Sequence, residues 1–286
     1  MRRAWVFFGL STNSILRPQY LTGATLGAFV FGIATSVLLP SNVYSQEKSK
    51  FSIVYAADWP PISYGVGGEV DGILPRLMGK IFTGNNIVEV VHHGLPWERA
   101  QHLFRQGKVD AMVATPTTKR LSHSARSAEI AIQIPFQPIV RQGSELADIS
   151  LFDEDLSALK HYRFCDVLGN GWAKEFYGKR DIKYSVAPTI EHCIQQLNLN
   201  RVDIVIHALP VLEVIRAKLD LEIELEILDL TVDGGHRFPL MVSNKFEDQK
   251  RVLDSFDTKV TDWQRTNRLN EIMEELVNME KQKVGS

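Results

Sequence analysis

Leu95–Arg120, LPWERAQHLFRQGKVDAMVATPTTKR, decides how the rest of the chain is read. Leu95, Trp97, Ala100, Leu103 and Phe104 recur at three- and four-residue spacings, which predicts a helix with one apolar stripe. Gly107 stops it. Val109 and Ala111-Met112-Val113-Ala114 then form a short apolar run suited to a strand covered on both faces. Thr115, Pro116, Thr117, Thr118 and Arg120 follow. Hydroxyls and a guanidinium just past the end of a buried strand stand where an open α/β sheet receives a ligand. Arg120 can grip a carboxylate through two parallel charge-assisted hydrogen bonds. The plainer alternatives are a surface or helix-end cation for Arg120 and core packing for Trp97.

Outward from this stretch, strands and helices alternate, which predicts mostly parallel sheets. Upstream, Phe51–Ala57 reads as a strand ended by Asp58-Trp59-Pro60-Pro61, because proline cannot continue a central strand. A loop through Tyr64, Gly65, Gly67 and Gly68 leads to a helix over Gly72–Phe82 and a strand over Ile87–Val91. Downstream, Ile130–Val140 is apolar and divided by Pro135 and Pro138, and Leu146–Lys160 reads as loop plus a short helix. Tyr162–Val167 is a strand, and Gly169-Asn170-Gly171 turns into a helix over Trp172–Tyr177. Such a turn presents backbone N–H groups to an anion. Ile182–Val186 is a strand, Thr189 caps a helix over Ile190–Leu199, and Arg201-Val202-Asp203 with Ile204–His207 repeats the pattern of Lys108–Ala114. Leu219–Leu230 reads as an acidic, aliphatic loop or strand, Gly234–Arg237 as a flexible turn and Phe238–Ser243 as a strand. Phe246–Val277 reads as helix, split around Thr266-Asn267, with Val252, Phe256, Val260 and Trp263 on one face.

The first 45 residues follow a different grammar. Arg2, Arg3 and Arg17 give a basic lead without acids, Leu21–Leu39 is apolar, and Val43-Tyr44-Ser45 ends in a small residue. This predicts a signal peptide over residues 1–45, cut after Ser45. The apolar run also approaches the length of a membrane span, so a retained anchor is the alternative. No cysteine near the junction offers a lipid attachment point. The chain of 286 residues has a net charge of −2, and loss of the three arginines takes it to −5. A mildly acidic chain without a basic run argues against nucleic acid or an anionic membrane as partner.

Asp58-Trp59-Pro60-Pro61, Pro96-Trp97, Gly107-Lys108-Val109-Asp110 and the pair Thr115 and Arg120, in this order and spacing, resemble the extracellular solute-binding proteins of family 3, the amino-acid-binding type of periplasmic binding protein. The resemblance covers nearly all of the chain after the leader. It implies a two-lobed α/β fold, each lobe a mostly parallel sheet flanked by helices, with lobe 1 over residues 46–138 and 237–286 and lobe 2 over 139–236. Phe136–Val140 matches the first hinge strand. Trp59 and Trp97 match two aromatics that sandwich the ligand, and Tyr64 lies in the same loop as Trp59. Thr115 and Arg120 match the carboxylate-binding pair. Asn170, Gly171 and Trp172 match the ligand loop of lobe 2. The resemblance further implies a periplasmic monomer that captures a small carboxylate-bearing ligand, needs no cofactor and works with a membrane permease complex.

One position departs from the pattern. Amino-acid-binding members place a carboxylate five residues after the Asp of the second motif, where it holds the α-ammonium group; here that residue is Ala208. His207 beside it is a substitute donor or a satisfied strand-end histidine. His92, His93, His102 and His123 lack a metal-ligand pattern and read as solvated or capping residues. Cys165 and Cys193 both fall in lobe 2, and an even count in an exported chain predicts a disulfide. The main competing function is a periplasmic dehydratase of the cyclohexadienyl type, which resembles this family in sequence. It would need a general acid in the cleft, and Asp58 and Glu98 are the acids nearest the motifs. A ligand-sensing subunit of a membrane receptor is the third reading.

Overall fold

The computed structural model describes residues 48–152, 156–219 and 224–284. The expected leader and its cleavage point lie outside them. In chain order the first part holds β1 (Ser49–Ala56), a small hairpin of β2 (Asp58–Trp59) and β3 (Ser63–Tyr64), α1 (Ile73–Phe82), β4 (Val88–Leu95), α2 (Trp97–Gln106), β5 (Ala111–Val113), the one-turn α3 (Thr118–Leu121) and β6 (Ser124–Ile134). The chain then enters a second sheet. That part holds β7 (Phe136–Arg141), three 3-10 turns, β8 (Phe164–Val167), α4 (Gly171–Lys179), β9 (Tyr184–Ala187), α5 (Ile190–Asn198), β10 (Ile204–Ala208), α6 (Leu209–Lys218) and β11 (Leu225–Ile227). It returns through β12 (His236–Ser243) and ends in α7 (Gln249–Arg265) and α8 (Arg268–Val284).

The sheets run β4-β1-β5-β12-β6 and β11-β7-β10-β8-β9. β4, β1 and β5 are parallel, as are β10, β8 and β9. Each sheet carries one strand of opposite sense, β12 in the first and β7 in the second. These are the strands by which the chain enters or re-enters a sheet, and the result is the expected two-lobed α/β architecture. β1 is apolar on both faces because both are covered. Phe51 packs on Phe82 of α1 and Phe246, while Val54 and Met112 pack on Ala100 and Phe104 of α2.

The quoted stretch folds as strand end, helix, turn and strand. Leu95 is the last residue of β4, paired with Ala56, rather than part of the helical stripe. The residue before a proline is driven to extended backbone, and Pro96 therefore sets the boundary. Gly107 closes α2 in the left-handed region at φ 68°. The long C-terminal helix breaks at Thr266 and Asn267, and Val252, Phe256 and Val260 are buried. Trp263 is only half-buried, beneath Lys259. Four elements were not foreseen: the one-turn α3, the polar first half of β6, the hairpin β2–β3 and α6. The turn expected at Gly234–Arg237 is a 3-10 turn that gives way to β12 at His236.

Both Val-Asp motifs are structural. Asp110 accepts hydrogen bonds from the backbone N–H (2.8 Å) and hydroxyl (2.6 Å) of Ser52 within β1. Asp203 accepts from the backbone N–H of Arg163 (2.9 Å) beside β8 and pairs with the guanidiniums of Arg141 and Arg163. Each carboxylate thus ties the approach to one strand onto its neighbour.

Cys165 on β8 and Cys193 on α5 form the expected disulfide, with both residues fully buried. Replacing both cysteines with serine is expected to lower unfolding stability by about 2–4 kcal/mol, because the link restricts the unfolded chain. Denaturant titration checks this, and thiol titration of the unreduced protein should find no free thiol.

Candidate functional site

A cavity of about 90 Å³ lies among the ends of the parallel strands of both sheets. Such ends are where open α/β sheets bind ligands. Tyr55 and Ala56 at the end of β1, Asp58 and Trp59 on the hairpin, Trp97 at the start of α2, Thr115 after β5 and Arg120 on α3 line one side. Phe136, Val167, Asn170, Trp172 and His207 line the other.

Arg120 is the chemical centre. It is 5% exposed. Its Nη1 donates to the carbonyl (2.7 Å) and hydroxyl (3.1 Å) of Thr115, and its Nη2 donates to Oε1 of Gln101 (2.9 Å). The indole of Trp97 lies against the guanidinium, 5.2 Å from ring centre to Cζ. The Nε–H is buried without a partner, and Nη2 has a second hydrogen unplaced. Among the described residues no carboxylate touches the group. Burial pushes its pKa down to about 10, opposed by the more distant Glu175, so it stays cationic at neutral pH. A buried guanidinium with Nε–H and an Nη2 hydrogen unplaced can take a planar anion through two donors.

The floor is aromatic. Trp59 packs on Phe238 (5.6 Å between ring centres) and meets His207 edge-on (6.3 Å). Phe136 stacks on His207 (5.6 Å) and meets His236 edge-on (4.0 Å), and Trp172 adds its edge to His236 (4.4 Å). His207 Nδ1 and His236 Nε2 have no hydrogen-bond partner. Burial pushes both imidazoles down to about 3, so His207 offers a neutral ring and not a cation. His92, by contrast, shares a hydrogen bond between its Nδ1 and the Tyr55 hydroxyl (3.0 Å). Among the described residues no group of His, Cys, Asp or Glu is placed to hold a metal.

The turn into α4 differs from its expected role. Asn170 Oδ1 accepts from the backbone N–H groups of Trp172 and Ala173, so the helix caps itself and these donors are not offered to a ligand. Asn170 Nδ2 in turn donates to Oδ1 of Asp166 (2.8 Å). Asp166 is 1% exposed, and burial pushes its carboxyl up to about 7. Its Oδ2 and the hydroxyl of Tyr177 are both buried without partners.

Of the residues singled out in the sequence, Trp59, Trp97, Thr115, Arg120, Asn170, Trp172 and His207 line one cavity. Gly171 does not line it. It stands behind the guanidinium, where an added Cβ would sit 3.4 Å from Arg120 Nη2. Tyr64 is turned away, and its hydroxyl donates to Glu280 of α8 (2.8 Å). Asp58 lines the cavity, its carboxyl pushed up chiefly by burial with Glu191 adding to it, while Glu98 and Asp203 do not. Sequence reasoning missed Phe136 and Phe238 on the cavity wall, and Gln101, Asp166 and His236 behind it. Gln101 alone left a signal, standing four residues after Trp97 on the same helical face.

No protein-family model and no curated protein sequence matches the chain. Solved structures do match it in fold. One comes from a study of glutathione import via GshT and the cystine importer TcyBC of Streptococcus mutans (TM-score 0.65, 14% identity, covering 81% of this chain and 95% of that one). Another is an ancestral arginine-binding protein bound to arginine (0.62, 16%, 80% and 98%). A third is AbpA, an amino-acid ABC transporter substrate-binding protein of Streptococcus pneumoniae bound to L-arginine (0.61, 17%, 81% and 96%). The chain therefore has the two-lobed fold of substrate-binding proteins of amino-acid ABC transporters.

Proposed function

We propose that this protein is an extracytoplasmic solute-binding protein that encloses a small carboxylate-bearing ligand between its lobes and delivers it to an ABC-type membrane permease. The observation that carries this reading is Arg120: buried, charged, with unplaced donors and no acid in contact. The fold neighbours, the disulfide and the leader-like first 45 residues support a periplasmic or extracellular setting. The lobes, 46–138 with 237–286 and 139–236, turn about the crossings near Gln137–Arg141 and Asp229–Arg237. Arg120 and Thr115 take the carboxylate, and Trp59, Trp97, Trp172 and His207 enclose its body. The protein acts as a monomer.

The ligand lacks a free α-amine or carries it masked. An ammonium enclosed here needs an anion to offset its desolvation. Ala208 has no side-chain carboxylate, and Asp203 is held by Arg141 and Arg163. Among the described residues Asp58 is the one acid lining the cavity. A thermal-shift screen of small acids, followed by calorimetry of L-amino acids against their deaminated or acylated analogues, tests the reading. The analogues are expected to bind more tightly. Submicromolar binding of an amino acid with silent analogues would reverse the assignment and give Asp58 the ammonium. Asp58, with its raised carboxyl, is also what favours the second reading, a dehydratase on the same fold. Turnover of prephenate would establish that one.

A further inference from the structure

Two hydrogen bonds cross the cleft on either side of Arg120. Gln101 on α2 accepts from Arg120 Nη2 (2.9 Å) through its Oε1 and donates through its Nε2 to the carbonyl of Gly169 (2.8 Å) in the turn before α4. A guanidinium can only donate and a carbonyl can only accept, so the two neighbours fix the orientation of the amide. On the other side, the backbone N–H of Thr118, in the same short helix as Arg120, donates to Oε1 of Glu175 on α4 (2.9 Å). Between these two points Gly171 lies against the guanidinium, with its would-be Cβ 3.4 Å from Nη2. The segment from Gly169 to Glu175 thus forms a cover over Arg120, fastened to the first lobe at both ends.

We infer that Gln101 and Glu175 are positioning residues that fasten this cover over Arg120 and keep it shielded from water. They set how readily the anion receptor opens without touching the ligand. Neither side chain lines the cavity. Gln101 suits the task because it is neutral and two-faced. A glutamate there would pair with Arg120 but repel the Gly169 carbonyl, and a leucine would serve neither. The consequence for ligand capture rests on the reading of Arg120 as an anion receptor; the fastening itself does not.

Phenylglyoxal labelling of the ligand-free protein, read residue by residue by mass spectrometry, tests this. Exposed Arg201 serves as the internal reference. The variants are Gln101→Leu and Thr118→Pro. The second removes only the donor to Glu175 and leaves every charge in place, since proline is well accepted at the first position of a helix and Thr117 before it is already extended. In the parent protein Arg120 should label far more slowly than Arg201. Each variant should speed Arg120 by about fivefold, the shift in an opening equilibrium expected for the one cleft-crossing hydrogen bond that each removes, with Arg201 unchanged. Labelling of Arg120 as fast as Arg201 in the parent would overturn the inference, as would equal Arg120 rates in parent and both variants. Acetate added as a carboxylate probe separates the two claims. Protection of Arg120 by acetate in the Gln101→Leu protein supports the anion receptor. Faster labelling in the variants without acetate protection would leave the fastening standing and remove the receptor reading.

Discussion

Replacing Arg120 with alanine is expected to lower affinity for the carboxylate ligand by at least about a hundredfold. Each hydrogen bond to a charged group contributes about 1.5–3 kcal/mol, and the guanidinium has two donors free to make such bonds at once. The ligand-free protein should remain folded, because the substitution removes a buried cation that no carboxylate touches and so relieves its desolvation. Its melting temperature should hold or rise, and the usual rise on adding ligand should vanish. Arg120→Lys should recover only part of the affinity, since an ammonium cannot present parallel donors to a carboxylate. Calorimetry on both variants gives the answer, and unchanged affinity in the alanine protein would remove Arg120 from the site.

The second large effect is on stability against pH, where one buried aspartate partly offsets two buried histidines. His207 and His236 are depressed from about 6.5 to about 3 in the fold. Their contribution is full above pH 6.5 and is lost as pH falls toward 3, because the unfolded chain binds the protons first. At pH 5 the loss is about 2 kcal/mol for each imidazole. Asp166 works the other way. Its folded pKa of about 7 lies above the unfolded value of 3.8, so its contribution is full below 3.8 and is lost as pH rises through 7. Between pH 7.5 and 5 it returns about 2–3 kcal/mol. The parent protein should therefore lose only about 1–2 kcal/mol over this range from these three groups. Asp166→Asn should steepen the loss to about 4 kcal/mol, and His207→Gln with His236→Gln should turn it into a gain. Urea titrations at pH 5 and 7.5 measure all three slopes. Equal slopes in the parent and Asp166→Asn proteins would show that the carboxyl titrates normally.

How much of this could be read from the sequence follows from which features are local. The turn at Gly107, the break at Thr266-Asn267 and the strand at Ala111 declare themselves within a few residues, and each stands where expected. α6 was hidden because Leu209-Pro210-Val211-Leu212 looks like an apolar strand or loop start, with no polar face to mark a helical period. The first half of β6 was hidden because an edge strand with one wet face can be polar, and Ser124, Arg126 and Glu129 carry no apolar alternation. The site divides in the same way. Arg120 and Thr115 were legible because they lie five residues apart on one short segment. Asn170 was legible as part of a turn into a helix but not as its cap or as the partner of Asp166, and the cluster of Phe136, His207 and His236 is assembled from three strands that only the fold brings together.

The position of Tyr64 has a practical side. Its hydroxyl, Asp71 and Glu280 all meet Lys283 in the last turn of α8, and Asp71 also holds Arg76 of α1. The hairpin that carries Trp59 into the cavity is thereby moored to α8. A purification handle joined directly after Val284, or a clone trimmed back before Glu280, would loosen one wall of the pocket while leaving every pocket residue in place. Assays of ligand capture are better made on protein whose handle takes the place of the leader-like first 45 residues.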